Sequence, residues 1–597
     1  MNLEKKVCQN CKKEFTIEPE DFKFYEKMQV PPPTFCPECR TQRRFMFRNE
    51  KSLFIKKSSF SGKEVFSMYP KDSYPKIYEN KTWYSDEWNP LDYGREVDFS
   101  KPFLEQFFEL LKEVPHPARS VSEETLVNSD YCNNANHLKN CYLVFNTAHD
   151  EDCMYGNDIY DGRDVVDGLS VKNSELSYDN FWVMRSNRVF FSHYIEDSHD
   201  IHFSKNLRAC SNCFGCVNLR GKSYHIFNEP YSKEEYIAKL ESFDVGSYKF
   251  IEKTKKKVQE FWNNFPNQNL LNRNTINSSG EYIYNSKNAK NSYYIREAEN
   301  VKYSQFLITP PVSEAYDQTL SGEGSSFIYE SLVCGLGVND LKFCRECWGG
   351  VNESQYTMYS GGGASSLFGC VGMRGGQSYC ILNKQYSKEE YKELFPKIIK
   401  HMDDMPYKDK QGSVYNYGEF FPSEFSPFAY NETIAQEYFP LTKEEAIEQG
   451  YTWRDPEERD YKITIEADDL PDHINQVKDS ILNEVIGCAH EQKCNEQCTK
   501  AFRIIDKELV FYRRMNLPLP RLCPNCRHYQ RVKFRNPLKL WARKCQCAGE
   551  QSDNGVYANT AKHEHDGAHC SNEFETSYSP DRQEIIYCES CYLKEVV

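Results

Sequence analysis

Between residues 128 and 228 an apolar residue returns at a nearly constant step. Positions 141, 153, 165, 176, 189, 201 and 213 lie twelve apart to within one residue. A polar residue precedes each anchor: Asn140, Asp152, Asp164, Glu175, Arg188, Asp200 and Asn212. An aromatic commonly follows within two or three positions. Short strands at this interval, each with an inward apolar residue and an Asn/Asp turn, predict a parallel β-solenoid. Two strands per turn would give a turn of about 24 residues. A propeller is the alternative, although twelve-residue steps are short for its hairpins. The step resumes less regularly at Ser292, Val301, Ala315, Phe327, Leu341, Leu367 and Tyr379.

Both tracts close on one sequence. Phe214-Gly215-Cys216-Val217, Arg220-Gly221 and Tyr231 to Tyr236 match Phe368-Gly369-Cys370-Val371, Arg374-Gly375 and Tyr386 to Tyr391. Ser232 with Glu235, and Ser387 with Glu390, are capping boxes, so a helix is predicted to cap each solenoid and shield its last rung. The repetition reads as an internal duplication. Helical spacing of Phe99, Phe103, Phe107 and Leu110 predicts an amphipathic helix over about 98–113, stopped by Pro115 and Pro117. Residues 248–264 read as a basic helix carrying Lys253, Lys255, Lys256 and Lys257. Residues 405–470 are aromatic and acidic, an arm expected to lie over a neighbour.

The resulting fold class is mainly β and multidomain, with zinc ribbons at both termini flanking two solenoid-like tracts capped by short helices. The segments are 1–60, a ribbon; 61–127, an aromatic connector with the amphipathic helix; 128–245, the first tract; and 246–282, a basic linker. They continue with 283–400, the second tract; 401–485, the aromatic arm; 486–544, a second ribbon; and 545–597, a Cys/His module.

The ribbons rest on cysteine spacing. Cys8 and Cys11 are followed after 24 residues by Cys36 and Cys39, and Cys494 and Cys498 are followed after 24 residues by Cys523 and Cys526. The flanks keep register: Phe15 with Phe502, Phe24-Tyr25 with Phe511-Tyr512, Arg44 with Arg531, and Phe47-Arg48-Asn49 with Phe534-Arg535-Asn536. Two thiolate pairs on tight turns, joined by an intervening hairpin, supply the tetrahedral sulfur shell that zinc prefers. Cys488 and His490 are alternatives to Cys494. The chain end holds a third cluster, Cys545, Cys547, His563, His565, His569, Cys570, Cys588 and Cys591. Its predicted ligands are Cys547, Cys570, Cys588 and Cys591, with Cys545, His565 and His569 as alternatives for the fourth. Cys210, Cys213, Cys216, Cys344 and Cys347 read instead as buried thiols of the solenoid repeat.

Composition narrows the picture. With 25 cysteines and no apolar stretch long enough to span a bilayer, a cytoplasmic metalloprotein without membrane contact is expected. The 41 Tyr and 38 Phe favour β-rich structure over a helical bundle. The net charge of −14 hides a polarity: residues 1–60 carry +5, residues 494–550 carry +9, and the remainder −28. Basic ribbons beside an acidic body suit a nucleic-acid contact, and equally suit docking of the ribbons on the chain's own body. Enzyme signatures fail: the prolines sit inside the knuckles, where a zinc deaminase needs them before. His563-Glu564-His565 lacks the helical spacing of a metalloprotease pair, and Gly335-x-Gly337 and Gly361–Gly363 read as turns.

At Cys-x-x-Cys, Phe-Tyr and Cys-Pro-x-Cys-Arg the ribbons resemble zinc-ribbon modules of many uncharacterised bacterial proteins. Cys570, Cys588 and Cys591 resemble the Cys-x-x-Cys-x17-Cys-x-x-Cys zinc-binding type, with Gly567 standing where the first cysteine belongs. The whole arrangement resembles large zinc-ribbon proteins of candidate-phyla bacteria. That resemblance implies zinc at two sites and a third, and adds little about role. The leading expectation is a non-catalytic protein whose ribbons bind nucleic acid, with RNA favoured. Arg40, Arg43, Arg44, Arg48, Arg527, Arg531, Lys533 and Arg535 would meet phosphate, and Phe45, Phe47 and Phe534 would stack on bases. The alternative is a structural or protein-interaction scaffold whose ribbons dock on their own solenoids. A third reading is a carbohydrate-active enzyme on the solenoid.

Overall fold

The computed structural model describes residues 3–455, 461–565 and 567–596; residues 456–460 of the aromatic arm lie outside them. Two compact units form. One combines residues 1–120 with 270–454, the other 121–269 with 455–597. Each unit therefore owns one ribbon and one β-solenoid.

The first solenoid pairs in parallel at a step of twelve: Val165 with Ser177, Ser177 with Val189, Val189 with Ile201, and Ile201 with Cys213. One turn is thus twelve residues, half the expected length, and the parallel ladder excludes a propeller. The reason is a second, shorter period. From Asn134 to Asn212 every third residue is left-handed, with φ between 48° and 62°. Each such residue turns a corner, so four three-residue sides complete a turn. Asn and Asp tolerate this conformation best among residues with a Cβ, which explains the polar residue ahead of each anchor. The residue after each corner points inward: Cys141, Val144, Cys153, Ile159, Val165, Val171, Val183 and Val189 are all buried in one core. Leu176 is itself a corner (φ 53°), and Ser177 takes the interior position assigned to it.

Interior serines are hydrogen-bonded rung to rung. Ser174 Oγ accepts from Ser186 N (3.1 Å), Ser186 Oγ from Ser198 N (3.1 Å), and Ser198 Oγ from Cys210 N (3.0 Å). Each hydroxyl donates to the carbonyl two residues back, as from Ser186 to Met184 at 2.8 Å. These ladders satisfy the amides of the inward residues after each corner, so the serine hydroxyls inside the solenoid are hydrogen-bonded rather than orphaned. Cysteines occupy equivalent places: the Cys210 and Cys216 thiols face the carbonyls of Arg208 (3.3 Å) and Phe214 (3.5 Å). Cys344 and Cys347 do the same toward Lys342 and Arg345, so all are buried thiols of the repeat.

Asp150 is the exception inside this core. It accepts from Gly162 N at 2.7 Å and lies against the Thr147 hydroxyl, and burial pushes its carboxyl up to about 7. A pKa raised on folding favours the neutral acid, so its stabilisation is full below the unfolded value near 4 and is lost as pH rises through about 7. Asp150→Asn keeps the shape without the charge. Its thermal midpoint should match the wild type near pH 4 and exceed it increasingly up to pH 7, by the equivalent of about 2–4 kcal/mol. A pH-independent difference in the melting curves would refute this.

The second solenoid explains its own irregularity. Ile283 pairs with Ile295 and Ile295 with Leu307 at twelve, but Ala315 pairs with Ile328, Ile328 with Leu341 and Leu367 with Cys380 at thirteen. The extra residue is a second left-handed position at one corner, filled in successive turns by Gly337, Gly350, Gly363 and Gly376. Here Gly363 N donates to Gly349 O and Gly376 N to Gly362 O, both at 2.9 Å. The anchors Phe327 and Tyr379 are corners too, with Ile328 and Cys380 inside.

Both caps form as expected: helices Lys233–Glu241 and Lys388–Asp404, with Ser232 and Ser387 accepting from Glu235 N and Glu390 N at 3.2 Å. The amphipathic helix is Phe103–Glu113, starting later than expected because Pro102 forms its N-cap, and Phe99 is left outside it. The basic helix is Tyr248–Trp262, and Lys255 reaches Asp179 at 2.8 Å. Within each ribbon a strand and a helix, Pro19–Met28 or Asp506–Arg514, fill the interval where a hairpin was expected.

Candidate metal centres and ribbon contacts

Three modules share one template. A strand ends at a cysteine (Val7 before Cys8, Gly487 before Cys488, Lys544 before Cys545). Three residues before the antiparallel partner strand stands a second cysteine: Cys11, Cys498 or Cys570. The third, Cys36, Cys523 or Cys588, sits at a helix start, and the fourth, Cys39, Cys526 or Cys591, lies in the first turn of that helix. Pro37 and Pro524 at the first helical position preset this geometry. The amides of Cys36, Cys523 and Cys588 donate to Cys8, Cys488 and Cys545 sulfur, each at 3.2 Å. The helix N-terminus also favours thiolate over thiol.

In each module the four sulfurs lie within 4.8 Å of one another. Measured pairs include Cys11 to Cys36 at 3.8 Å, Cys488 to Cys526 at 3.9 Å, Cys498 to Cys523 at 4.0 Å and Cys570 to Cys588 at 3.9 Å. A tetrahedron with metal–sulfur bonds of about 2.3 Å has edges of about 3.8 Å. The donor sets therefore fit a four-sulfur metal site. Neighbouring thiols hydrogen-bonding to one sulfur hold that thiol far below its ordinary range: Cys36 and Cys39 act on Cys8, Cys488 and Cys498 on Cys523, and Cys545 and Cys591 on Cys588.

Two expected ligands move. In the second ribbon the four-sulfur group contains the alternative Cys488 in place of Cys494, which lies 3.7 Å from Cys526 in a different group with His490 and Glu496. Cys545, not Cys547, completes the C-terminal group, and Cys547 gathers with His563, His565 and Cys591. The cause is the loop between the first two cysteines. It holds two residues after Cys8, nine after Cys488 and 24 after Cys545, so spacing along the chain misplaces the first ligand. His569 faces Asp553 at 3.6 Å and its own neighbour's carbonyl.

A fourth copy of the template straddles the expected boundary at residue 60 between the first ribbon and the aromatic connector. Strands Phe54–Lys57 and Glu64–Ser67 enclose Ser58 and Ser61 at the positions of Cys8 and Cys11. The backbone turns agree: Gly62 N to Ser58 O at 3.0 Å and Ser58 N to Lys63 O at 2.8 Å, against Lys12 N to Cys8 O at 3.1 Å and Cys8 N to Lys13 O at 2.9 Å. Glu79 caps the following helix at the place of Cys36, and both serine hydroxyls donate to its carboxylate. Hydrogen bonds here stand where the other copies gather sulfur. Each unit thus carries a ribbon followed by a second module, cysteine-rich only at the chain end.

Six of the ribbon arginines pair with carboxylates, and Arg535 is half-buried. Arg40 donates to Asp317 through Nε (3.0 Å) and Nη2 (2.8 Å), and Arg44 Nη1 donates to the other oxygen of Asp317 at 3.1 Å. Arg43 Nη2 bonds Glu330 (2.5 Å) and Glu419 (3.1 Å). Arg48 pairs with Glu50 at 2.7 Å. The other unit repeats the pairing: Arg527 and Arg531 reach Asp167 at 3.2 and 3.1 Å, Arg527 reaches Glu508 at 3.5 Å, and Arg531 reaches Asp179 at 3.3 Å. Asp317, Glu330, Asp167 and Asp179 are all solenoid corners. Arg40, Arg44 and Arg531 are at most 1% exposed. Aromatic contacts repeat as well: Tyr303 hydroxyl faces Asp21 at 3.3 Å, and Tyr155 donates to Glu508 at 2.8 Å. Phe45 and Phe47 are fully buried, and Phe534 packs on the His193 ring at 3.8 Å. Of the proposed phosphate contacts only Lys533 is well exposed, and it pairs with Glu496 at 2.5 Å.

Among the described residues no helix is long and apolar enough to cross a membrane. No known protein family and no curated protein matches the chain. Among solved structures it is aligned with one provisionally described as an acetyltransferase from Desulfovibrio desulfuricans G20. That alignment has 10% identity and a TM-score of 0.10, covering 47% of this chain and 85% of that one. A score so low carries no conclusion about fold or activity.

Proposed function

We propose that the chain is a non-catalytic, zinc-stapled scaffold whose ribbons clamp their own solenoids. The observation that carries this reading is the duplicated burial of Arg40 and Arg44 on Asp317, and of Arg527 and Arg531 on Asp167. The −28 of the body is the counterpart of the basic ribbons, and part of it is met inside the molecule. All-thiolate shells suit zinc among the common divalent ions and leave no open position for a reacting water. A nucleic-acid role for these arginines is disfavoured, because exposing them would leave buried carboxylates without partners. The outward faces of the solenoids are then the surfaces left for protein partners.

The test is binding of the metal-loaded protein to mixed single-stranded RNA and DNA at low and moderate salt, beside an Arg44→Glu/Arg531→Glu variant. The scaffold reading expects no salt-weakened binding, and a variant that loses thermal stability. Tight binding that the variant abolishes while staying folded would restore the phosphate reading.

A further inference from the structure

We propose that the C-terminal module holds two metal ions bridged by the Cys591 thiolate, one in Cys545, Cys570, Cys588 and Cys591 and the other in Cys547, His563, His565 and Cys591. The proposal rests on the reading of the cysteine modules as metal centres and adds a second ion to one of them. Both groups have all their donor atoms within 4.8 Å of one another, and Cys591 belongs to both. In the second group Cys547 Sγ lies 3.5 Å from His563 Nδ1 and 3.5 Å from His565 Nε2, and Cys591 Sγ lies 3.4 Å from His565 Nε2. A tetrahedral ion with bonds of about 2.0 Å to nitrogen and 2.3 Å to sulfur separates those donors by about 3.5 Å.

The far side of each ring decides the tautomer. His563 Nε2 lies 2.7 Å from the Glu595 carboxylate, and His565 Nδ1 lies 2.6 Å from the Ala568 carbonyl. Both partners only accept, so those nitrogens carry the protons and the facing nitrogens present lone pairs. With Cys591 ionised as a ligand of the first group, only the Cys547 thiol has a proton to offer, so two lone pairs converge on two sulfurs in a way that a cation resolves and that one proton does not. A carboxylate or carbonyl behind a ligating histidine is the usual outer support of a metal site. Glu595 is itself fixed by the Thr560 amide (2.7 Å), the Thr560 hydroxyl (2.8 Å) and the Tyr557 hydroxyl (2.9 Å). That ties the ligand-bearing loop to the helix carrying Cys591. The His563 side chain is 1% exposed, so an unligated imidazole would be buried against sulfur with no solvent to satisfy it. The loop of 24 residues between Cys545 and Cys570 supplies Cys547, His563 and His565; the serine-bearing counterpart at Ser58 and Ser61 has only the short turn.

The test compares the full-length wild type with His563→Ala/His565→Ala by native mass spectrometry, with 113Cd in place of the native ion for NMR. The variant is expected to hold one ion fewer per chain while keeping the ribbon ions. Two 113Cd resonances of the wild-type module should be split by each other through the shared sulfur, and the variant should lose one of the pair. His565→Cys, which restores a donor, should regain the ion; this separates ligation from a folding defect. Equal metal counts in wild type and double variant, or module resonances without mutual splitting, would overturn the bridged pair. A chain that binds no metal at all would instead overturn the reading of the modules as metal centres.

Discussion

Replacing Asp317 with Ala should be among the most damaging single changes in the chain, costing about 3–5 kcal/mol. The substitution strips the common partner from two guanidinium groups, Arg40 and Arg44, whose side chains are 1% and 0% exposed. A buried cation without its anion pays its desolvation in full, whereas removing the whole cluster does not. The triple variant Arg40→Met/Arg44→Met/Asp317→Leu should therefore recover most of the loss, since well-packed apolar residues replace buried ion pairs at little cost. Thermal unfolding of the two variants side by side is the measurement. Equal damage in both would show that the arginines matter for more than balancing Asp317. Asp167→Ala should be damaging in the same direction, because Arg527 and Arg531 both lie within ion-pair distance of one Asp167 oxygen.

Metal removal should be larger still. Structural zinc contributes on the order of 10 kcal/mol to the folding of small modules. In the first ribbon Cys8, Cys36 and Cys39 are buried together where a two-strand hairpin meets the start of the helix Pro37–Phe45, so the metal would tie those two elements to each other. Chelation at neutral pH, or Cys39→Ser, should free the helix Pro37–Phe45 from the second solenoid. Limited proteolysis should then cut between residues 36 and 48, while the twelve- and thirteen-residue turns remain intact. Acid should act like the chelator, because thiolates must be deprotonated to hold the ion, so affinity falls as pH falls. A chelated chain with an unchanged digestion pattern would contradict the staple reading.

Much of this architecture can be read from residues alone, but at one level of detail too coarse. The step of twelve is visible because Cys141, Cys153, Val165, Val189, Ile201 and Cys213 share one side of the solenoid. The underlying step of three is hidden, because other inward positions hold Ser186, Ser192, Ser198 and Ser204. Those serines are polar to the eye but satisfied by their ladders. A corner every third residue, with Asn or Asp at many of them, was the available signal. The capping boxes are legible since they are local, four residues long and independent of packing.

The metal sites show the opposite limit. Cys36-Pro37-x-Cys39 and Cys523-Pro524-x-Cys526 are local and unambiguous. Cys488 and Cys545 are not, because a hairpin loop of any length brings its two ends together. Ser58, Ser61 and Glu79 were invisible to a search for cysteine, although Lys63-Glu64 after Ser61 keeps the register of Lys13-Glu14 after Cys11. The ribbon arginines stand out in the sequence as basic clusters, but the carboxylates that Arg40, Arg44, Arg527 and Arg531 meet do not. Their anions, Asp317 and Asp167, lie hundreds of residues away along the chain, and only the folded solenoid shows that they face the ribbons.

The most direct test of the clamp is backbone hydrogen exchange of the metal-loaded full-length protein, followed at residues 36–48 and 523–535. Docked ribbons predict protection there equal to that of the solenoid rungs, unchanged by saturating single-stranded RNA. Fast exchange in both helices, slowed only when RNA is added, would show ribbons free of their solenoids and would contradict the account.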